Sequence, residues 1–231
     1  MRWLLTGLVA LVAGFGGAAL WSASGLGGAD STRDYLLAHP EVLSEAMAVL
    51  QERDQLARMA PLRTQVERPF PGAVLGNPEG SVTLVEFSDY ACGFCRQSVA
   101  DVEALIAANS DLRVVVREYP ILSAESVDAA RMALAAAQQG KYAAFHGAMF
   151  RLGPPSPESI EAAAREAGVD LARARQAIAA GTFDAQLQAN ADLGAQLGIG
   201  GTPAFIAGDR TLNGAVGQQA IGDAIEQARQ S

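Results

Sequence analysis

Hydrophobic positions along this chain change their period several times, and each change marks a boundary. From Trp3 to Trp21 the residues are apolar apart from Thr6, and no charge appears between Arg2 and Asp30. Such a run is an export signal or a membrane anchor. An anchor needs roughly 20 apolar residues and favours aromatic residues at its ends, as Trp3 and Trp21 are placed. A cleaved signal needs small residues at its end, which Gly17-Ala18-Ala19 or Ser22-Ala23-Ser24 supply. Either way, the positive charge ahead of the run puts the folded part outside the cytoplasm. Beyond a Gly-rich spacer, Asp30 or Ser31 can cap a helix that reaches about Arg58 with a break at Pro40. Leu36, Leu43, Met47 and Leu50 form its apolar stripe. Pro61, Pro69 and Pro71 then predict an extended linker.

From Ala73 onward the pattern is that of an α/β domain. Val82 to Phe87 reads as a strand, Val99, Val102, Leu105 and Ile106 recur at helical spacing, and Leu112 to Tyr119 reads as a second strand. This is a strand-helix-strand unit. An Ala-rich helical stretch follows, punctuated by Gly140, Ser156-Pro157-Glu158, Gly168, Asp170 and Gly181. A short strand at Ala204–Ala207 turns at Gly208-Asp209 and pairs back through Arg210-Thr211-Leu212, and a helix over Gln218–Arg229 closes the domain. The expected organisation is therefore a signal or anchor over 1–28, a helical N-terminal region and linker over 29–72, and a domain over 73–231 with a helical insert at about 123–198.

Composition narrows the function classes. Seventeen Lys and Arg against 25 Asp and Glu give a formal charge of −8, which repels phosphate backbones, so nucleic acid is not an expected partner. Of chemically reactive residues, the two cysteines stand out: Cys92 and Cys95 are the only ones among the 231 residues, and they sit where a strand passes into a helix. The thiolate is the reactive form of cysteine, and the unpaired N–H groups of a first helical turn stabilise it. One turn apart, the two residues share a side of the helix and can close a disulfide. As half of a zinc site the pair lacks partners, because His39 and His146 lie on separate helical segments. As an inert staple, so small a loop would contribute only about 2 kcal/mol. Redox exchange is the reading that uses the arrangement. His146 reads as a helix-packing residue, His39 as part of a turn, and Met47, Met132 and Met149 as core positions.

Three stretches, Val85-Glu86-Phe87-Ser88-Asp89-Tyr90-Ala91-Cys92-Gly93-Phe94-Cys95-Arg96, Arg117-Glu118-Tyr119-Pro120-Ile121-Leu122 and Gly201-Thr202-Pro203-Ala204-Phe205, resemble the DsbA family of periplasmic thioredoxin-fold proteins. The resemblance spans roughly Ala73 to Arg229. It implies a thioredoxin fold with an inserted helical subdomain and a protein-disulfide oxidoreductase that needs no cofactor or metal. Cys92 would be the attacking, exposed cysteine and Cys95 the resolving one. Thr202-Pro203 would be a cis peptide that binds substrate together with Gly93 and Phe94, and Glu86 a buried acid that tunes proton traffic. Implied partners are thiol- or disulfide-containing exported proteins and a membrane redox partner. Asp34 to Leu43 further resembles the N-terminal region of ScsC-like members, which are linked to copper tolerance and can oligomerise; a homo-oligomer built through residues 31–60 is therefore expected. Gly93-Phe94 departs from the Pro-His dipeptide of the strongly oxidising members, which leaves the direction of exchange, oxidase against isomerase or reductase, open. Two other functions stay open on the same residues: a non-catalytic chaperone or binding module, and a copper protein holding Cu(I) between the two thiolates.

Overall fold

The structure is a computed structural model that describes residues 7, 14–17 and 29–230. Apart from those few positions, the N-terminal run read as signal or anchor lies outside the described residues. Among the described residues no helix is long and apolar enough to cross a membrane. The chain divides into two compact units, Met1–Arg53 and Asp54–Ser231.

In the first unit, helix α1 (Ala29–Ala38) stops before Pro40, and α2 (Glu41–Met59), whose residues 54–59 belong to the second unit, starts directly after it. Proline lacks the N–H that a continuous helix would need there. Glu41 places an acid in the first turn of α2, and His39 Nδ1 bonds its Oε1 at 3.0 Å. The expected apolar stripe is exposed: Leu43, Met47 and Leu50 face solvent, as do Tyr35, Leu37 and Val49.

The second unit is built on a five-stranded sheet in the order β1-β3-β2-β4-β5, with β1 at Val74–Gly76, β2 at Val82–Ser88, β3 at Leu112–Glu118, β4 at Ala204–Ala207 and β5 at Arg210–Asn213. Strands β2 and β3 run parallel, joined by α4 (Gly93–Ala108), while the other pairings are antiparallel. Both faces of β2 are covered, so its residues are buried almost without interruption instead of alternating between core and solvent. Leu84, Val114, Val116 and Phe205 join the core under α4, the insert and the closing helix α10 (Gln218–Ala228). Val85, Phe87, Val115 and Ile206 join a second core with Met59, Val66, Leu193 and Ile199. Side chains alternate along a strand. Glu86 and Ser88 therefore fall on the first face, between the sheet and α4.

The insert comprises α5 (Ala124–Ala137), α6 (Tyr142–Leu152), α7 (Pro157–Glu166), α8 (Leu171–Ala179) and α9 (Asp184–Leu197). Its starts are set by caps legible in the chain: Ser123 accepts from Ser126 N, Asp170 from Arg173 N, and Ser156 forms a reciprocal pair with Ser159. The alanine bias is explained by α5, which is buried along most of its length and packs against α6, α7 and α8. In α9, Gly194 is required by close approach, because a Cβ there would stand 2.8 Å from the buried Tyr119 ring.

Two sequence expectations need correction. Met47, read as a core position, is exposed, because the helix face that carries it is uncovered. The segment read as an extended linker contains a short helix, α3 (Arg63–Glu67), whose Val66 is fully buried. The buried Arg117 of β3 holds it. Its guanidinium donates to Val66 O at 2.8 Å, to Arg68 O at 2.6 Å and to Gln65 O, and to Asn190 Oδ1 at 3.2 Å. These main-chain carbonyls are the acceptors a helix end leaves unpaired. Burial pulls the Arg117 pKa down to about 10, so the side chain stays charged at neutral pH. Arg117→Met leaves those carbonyls without a donor in a dry interface and is expected to cost about 3 kcal/mol. An unchanged urea midpoint in that variant would show that α3 docks by apolar packing alone.

Candidate active site

Strand β2 ends at Ser88, and the chain turns through Asp89, Tyr90 and Ala91 into α4. The turn is held at both ends by Asp89. Its carbonyl accepts from Cys92 N at 3.0 Å and its Oδ1 accepts from Ala91 N at 2.8 Å. Its Oδ2 accepts from Ile121 N at 2.8 Å and Leu122 N at 3.0 Å. One buried carboxylate thus ties the cysteine turn to the segment after β3, whose Ile121 and Leu122 side chains project into solvent.

Cys92 is the N-cap of α4. Its sulfur accepts from Cys95 N at 3.4 Å and its thiol donates to Thr202 O at 3.2 Å. Both cysteines are free thiols. The expectation of an exposed Cys92 needs adjustment, because Cys92 keeps only 6% of its surface with the Thr202 carbonyl laid against its sulfur. Cys95 keeps 0%. The Thr202–Pro203 peptide is cis, and Pro203 O accepts from Gly214 N at 2.8 Å, which ties the start of β4 to the far end of β5. Gly93 opens onto free space, and Phe94 is 62% exposed on the first turn. The structure therefore brings Cys92, Cys95 and Thr202 into contact, with Gly93 and Phe94 beside them on the surface.

Burial pushes the Cys95 thiol up to about 12, opposed by the Asp89 backbone N–H and by the hydroxyls of Thr202 and Ser88, with nearby Glu86 adding to the rise. Neither of those buried hydroxyls has a partner at full hydrogen-bond geometry among the described residues. Glu86 lies in the core, and burial pushes its carboxyl up to about 7 against a lowering contribution from Ser88.

Four residues join this buried group that the sequence reading did not single out for chemistry or read only as packing. Glu118 Oε1 accepts from Tyr142 Oη at 2.7 Å and from Tyr90 Oη at 3.1 Å. Tyr90 Oη also lies 3.2 Å from His146 Nδ1. Burial raises Glu118 to about 8, against the two tyrosine hydroxyls, and lowers His146 to about 4. Glu118 was legible: on the period-two face of Leu112, Val114 and Val116 it is the next core position. Nothing in the chain announces that Tyr90, Tyr142 and His146 converge on it. Among the described residues no three of His, Cys, Asp or Glu gather into a metal site.

A family model described as thioredoxin matches residues 70–227, and one described as the copper resistance protein ScsC N-terminal domain matches residues 32–57. Among solved structures, the chain is similar to a thioredoxin-like oxidoreductase from Silicibacter pomeroyi DSS-3, with 43% identity, a TM-score of 0.65, and coverage of 68% of this chain and 92% of that one. It is also similar to the thiol-disulfide exchange protein alpha-DsbA2 from Wolbachia pipientis, with 27% identity, a TM-score of 0.70, and coverage of 77% and 97%. A curated relative, the Na(+)/H(+) antiporter NhaA 1 of Salinispora arenicola, is 29% identical over 159 residues, which are 67% of this chain and 24% of the relative. The chain thus spans about a quarter of that protein's length.

Two outcomes test the buried groups. Unfolded, Glu releases its proton near 4.5 and His near 6.5, whereas the folded chain keeps protons on Glu86 to about 7 and on Glu118 to about 8. Between pH 6.5 and 8 the folded state therefore holds more protons, and stability falls as pH rises. Each carboxyl adds a slope of up to about 1.4 kcal/mol per pH unit while it alone keeps its proton. Urea midpoints across that window should decline, and less steeply in Glu118→Gln. Separately, Asp89→Ala strips the acceptor from three amides and should cost about 2–4 kcal/mol. Hydrogen exchange at Ile121 and Leu122 should accelerate well beyond that at Val114; retained protection at both amides would remove the tethering role from Asp89.

Proposed function

The chain belongs to the thioredoxin family, and we propose that it is a thiol-disulfide oxidoreductase acting on exported proteins through Cys92 and Cys95. The observation that carries this reading is the asymmetry of the pair. Cys92 caps a helix and keeps 6% of its surface, within reach of the Cys95 amide and the Thr202 carbonyl, while Cys95 keeps none. A substrate thiolate attacks the Cys92 sulfur of the Cys92–Cys95 disulfide, forming a mixed disulfide and releasing Cys95 as a thiolate. With its pKa pushed up to about 12, Cys95 takes up a proton at neutral pH. Glu86, titrating near 7 in the same buried group, is the carboxyl suited to supply it. The substrate's second thiolate then attacks its own sulfur in the mixed disulfide, which completes the substrate disulfide and leaves Cys92 reduced. The reverse sequence reduces a substrate disulfide and oxidises the pair.

Once Cys92 is bonded to substrate, Thr202 O loses the thiol donor and can accept from a backbone N–H of the bound chain. Phe94, Ile121 and Leu122 offer exposed apolar surface around it. A location outside the cytoplasm and a membrane redox partner belong to the same reading. So does self-association through residues 31–60, which is supported by the match over 32–57 and by the exposed stripe of Leu43, Met47 and Leu50.

The assay is oxidation of a reduced substrate run beside reactivation of a scrambled one. Cys92→Ser should lower both by at least about a thousandfold, and Cys95→Ala should trap a mixed disulfide visible on a non-reducing gel. Exchange at the wild-type rate in Cys92→Ser would falsify the assignment.

A further inference from the structure

A cavity of about 200 Å³ opens between β1, α4 and α6. Its wall is apolar at Val99, Ile106 and Ala143, and it includes the polar side chains of Glu86, Glu103 and His146. No Lys or Arg lines it.

The hydrogen bonds around His146 fix what that wall offers. Where Tyr90 Oη donates its one hydrogen to an ionised Glu118, its oxygen accepts from His146 Nδ1–H. That tautomer leaves Nε2 as an acceptor, and no protein group bonds it among the described residues. Glu86 is 3% exposed and borders the same space. Its titratable neighbours are Cys95 on α4, Glu118 on β3, Tyr90 after β2, and Tyr142 and His146 on α6, none of them cationic at neutral pH. The exposed Glu103 adds negative charge to the wall. The polar side chains of this cavity thus include acceptors with no cation beside them, inside a wall that is otherwise apolar.

We infer that this cavity is a binding site for a small apolar amine, a single ring or branched alkyl group bearing an ammonium, seated with its nitrogen toward Glu86 and His146. Size agrees, because an apolar cavity of about 150 Å³ already admits benzene. Charge agrees as well, since a buried carboxylate without a cationic partner favours a ligand that brings a cation and hydrogen-bond donors together. Neither cysteine, Phe94 nor Thr202 lines the cavity, while Glu86 is shared with the proton transfer proposed for Cys95.

The test uses the full chain at pH 8, where Glu86 is ionised. Benzylamine and its neutral counterpart benzyl alcohol are titrated in turn while amide NMR shifts are followed. Benzylamine should bind with a dissociation constant of about 1 mM, at least about tenfold tighter than benzyl alcohol, and shift amides around Val99, Ile106 and Ala143. Glu86→Gln should bring the two ligands within about threefold of each other. Gly147, on the same wall, has open space where a Cβ would be. Gly147→Leu fills the cavity and should abolish both titrations, with Val99→Phe taking its place should the first variant not fold. Equal binding of the two ligands to wild type, shifts confined to other surfaces, or benzylamine binding that survives filling of the cavity would each overturn the inference.

Discussion

The constraint behind the candidate site is that β2 is buried on both faces. A strand in that position has no solvent side, so each polar residue it carries must be accommodated inside. Glu86 and Ser88 alternate with Val85 and Phe87 and therefore enter the layer between the sheet and α4, the layer that also receives the fully buried Cys95. Glu118, paired in register with Ser88 on the neighbouring strand, enters the same layer. The polar groups around the inner sulfur are thus a consequence of strand alternation and register.

The two sulfurs experience different physics although only two residues separate them. Cys92 stands at a helix end, where unpaired amides are directed at its sulfur, and Cys95 one turn later lies wholly within the core. Asp89 makes this division rigid. Its main-chain carbonyl fixes the Cys92 amide, and its carboxylate fixes the adjoining turn and the segment carrying Ile121 and Leu122. A substrate that touches those side chains is thereby held in a set relation to Cys92.

Much of this could be read from the chain because it depends on local chemistry. Capping residues at Ser123, Ser156 and Asp170, the glycine stops, and the strand-to-helix passage at Cys92 are short-range signals, and the elements form where those signals place them. The failures share a different cause. Helix α3 has five residues and an unremarkable sequence between prolines; it exists because Arg117, far along the chain, caps its carbonyls. Strand β1 has three residues and pairs only with β3. His146 reads as packing because a lone histidine on a helix reveals nothing of a tyrosine 56 positions earlier that comes within hydrogen-bond distance of it. Long-range polar convergence has no period in sequence, and it supplies the tyrosine and histidine groups gathered at Glu118.

Arg117 and Glu118 are adjacent on one strand and solve the problem of buried charge in opposite ways. Arg117 points to the face shared with Val115 and, pulled down only to about 10, cannot shed its proton at neutral pH, so it is surrounded by carbonyl acceptors. Glu118 points to the other face and takes on a proton near 8, so it needs only the two tyrosine hydroxyls. A guanidinium beside Cys95 would demand a similar cage of carbonyls and would hold its charge throughout. Carboxyls raised by burial can instead stay neutral and still release a proton within the physiological range. That difference explains how the fold holds acids around a buried sulfur without unfolding, as the proposed proton transfer to Cys95 requires.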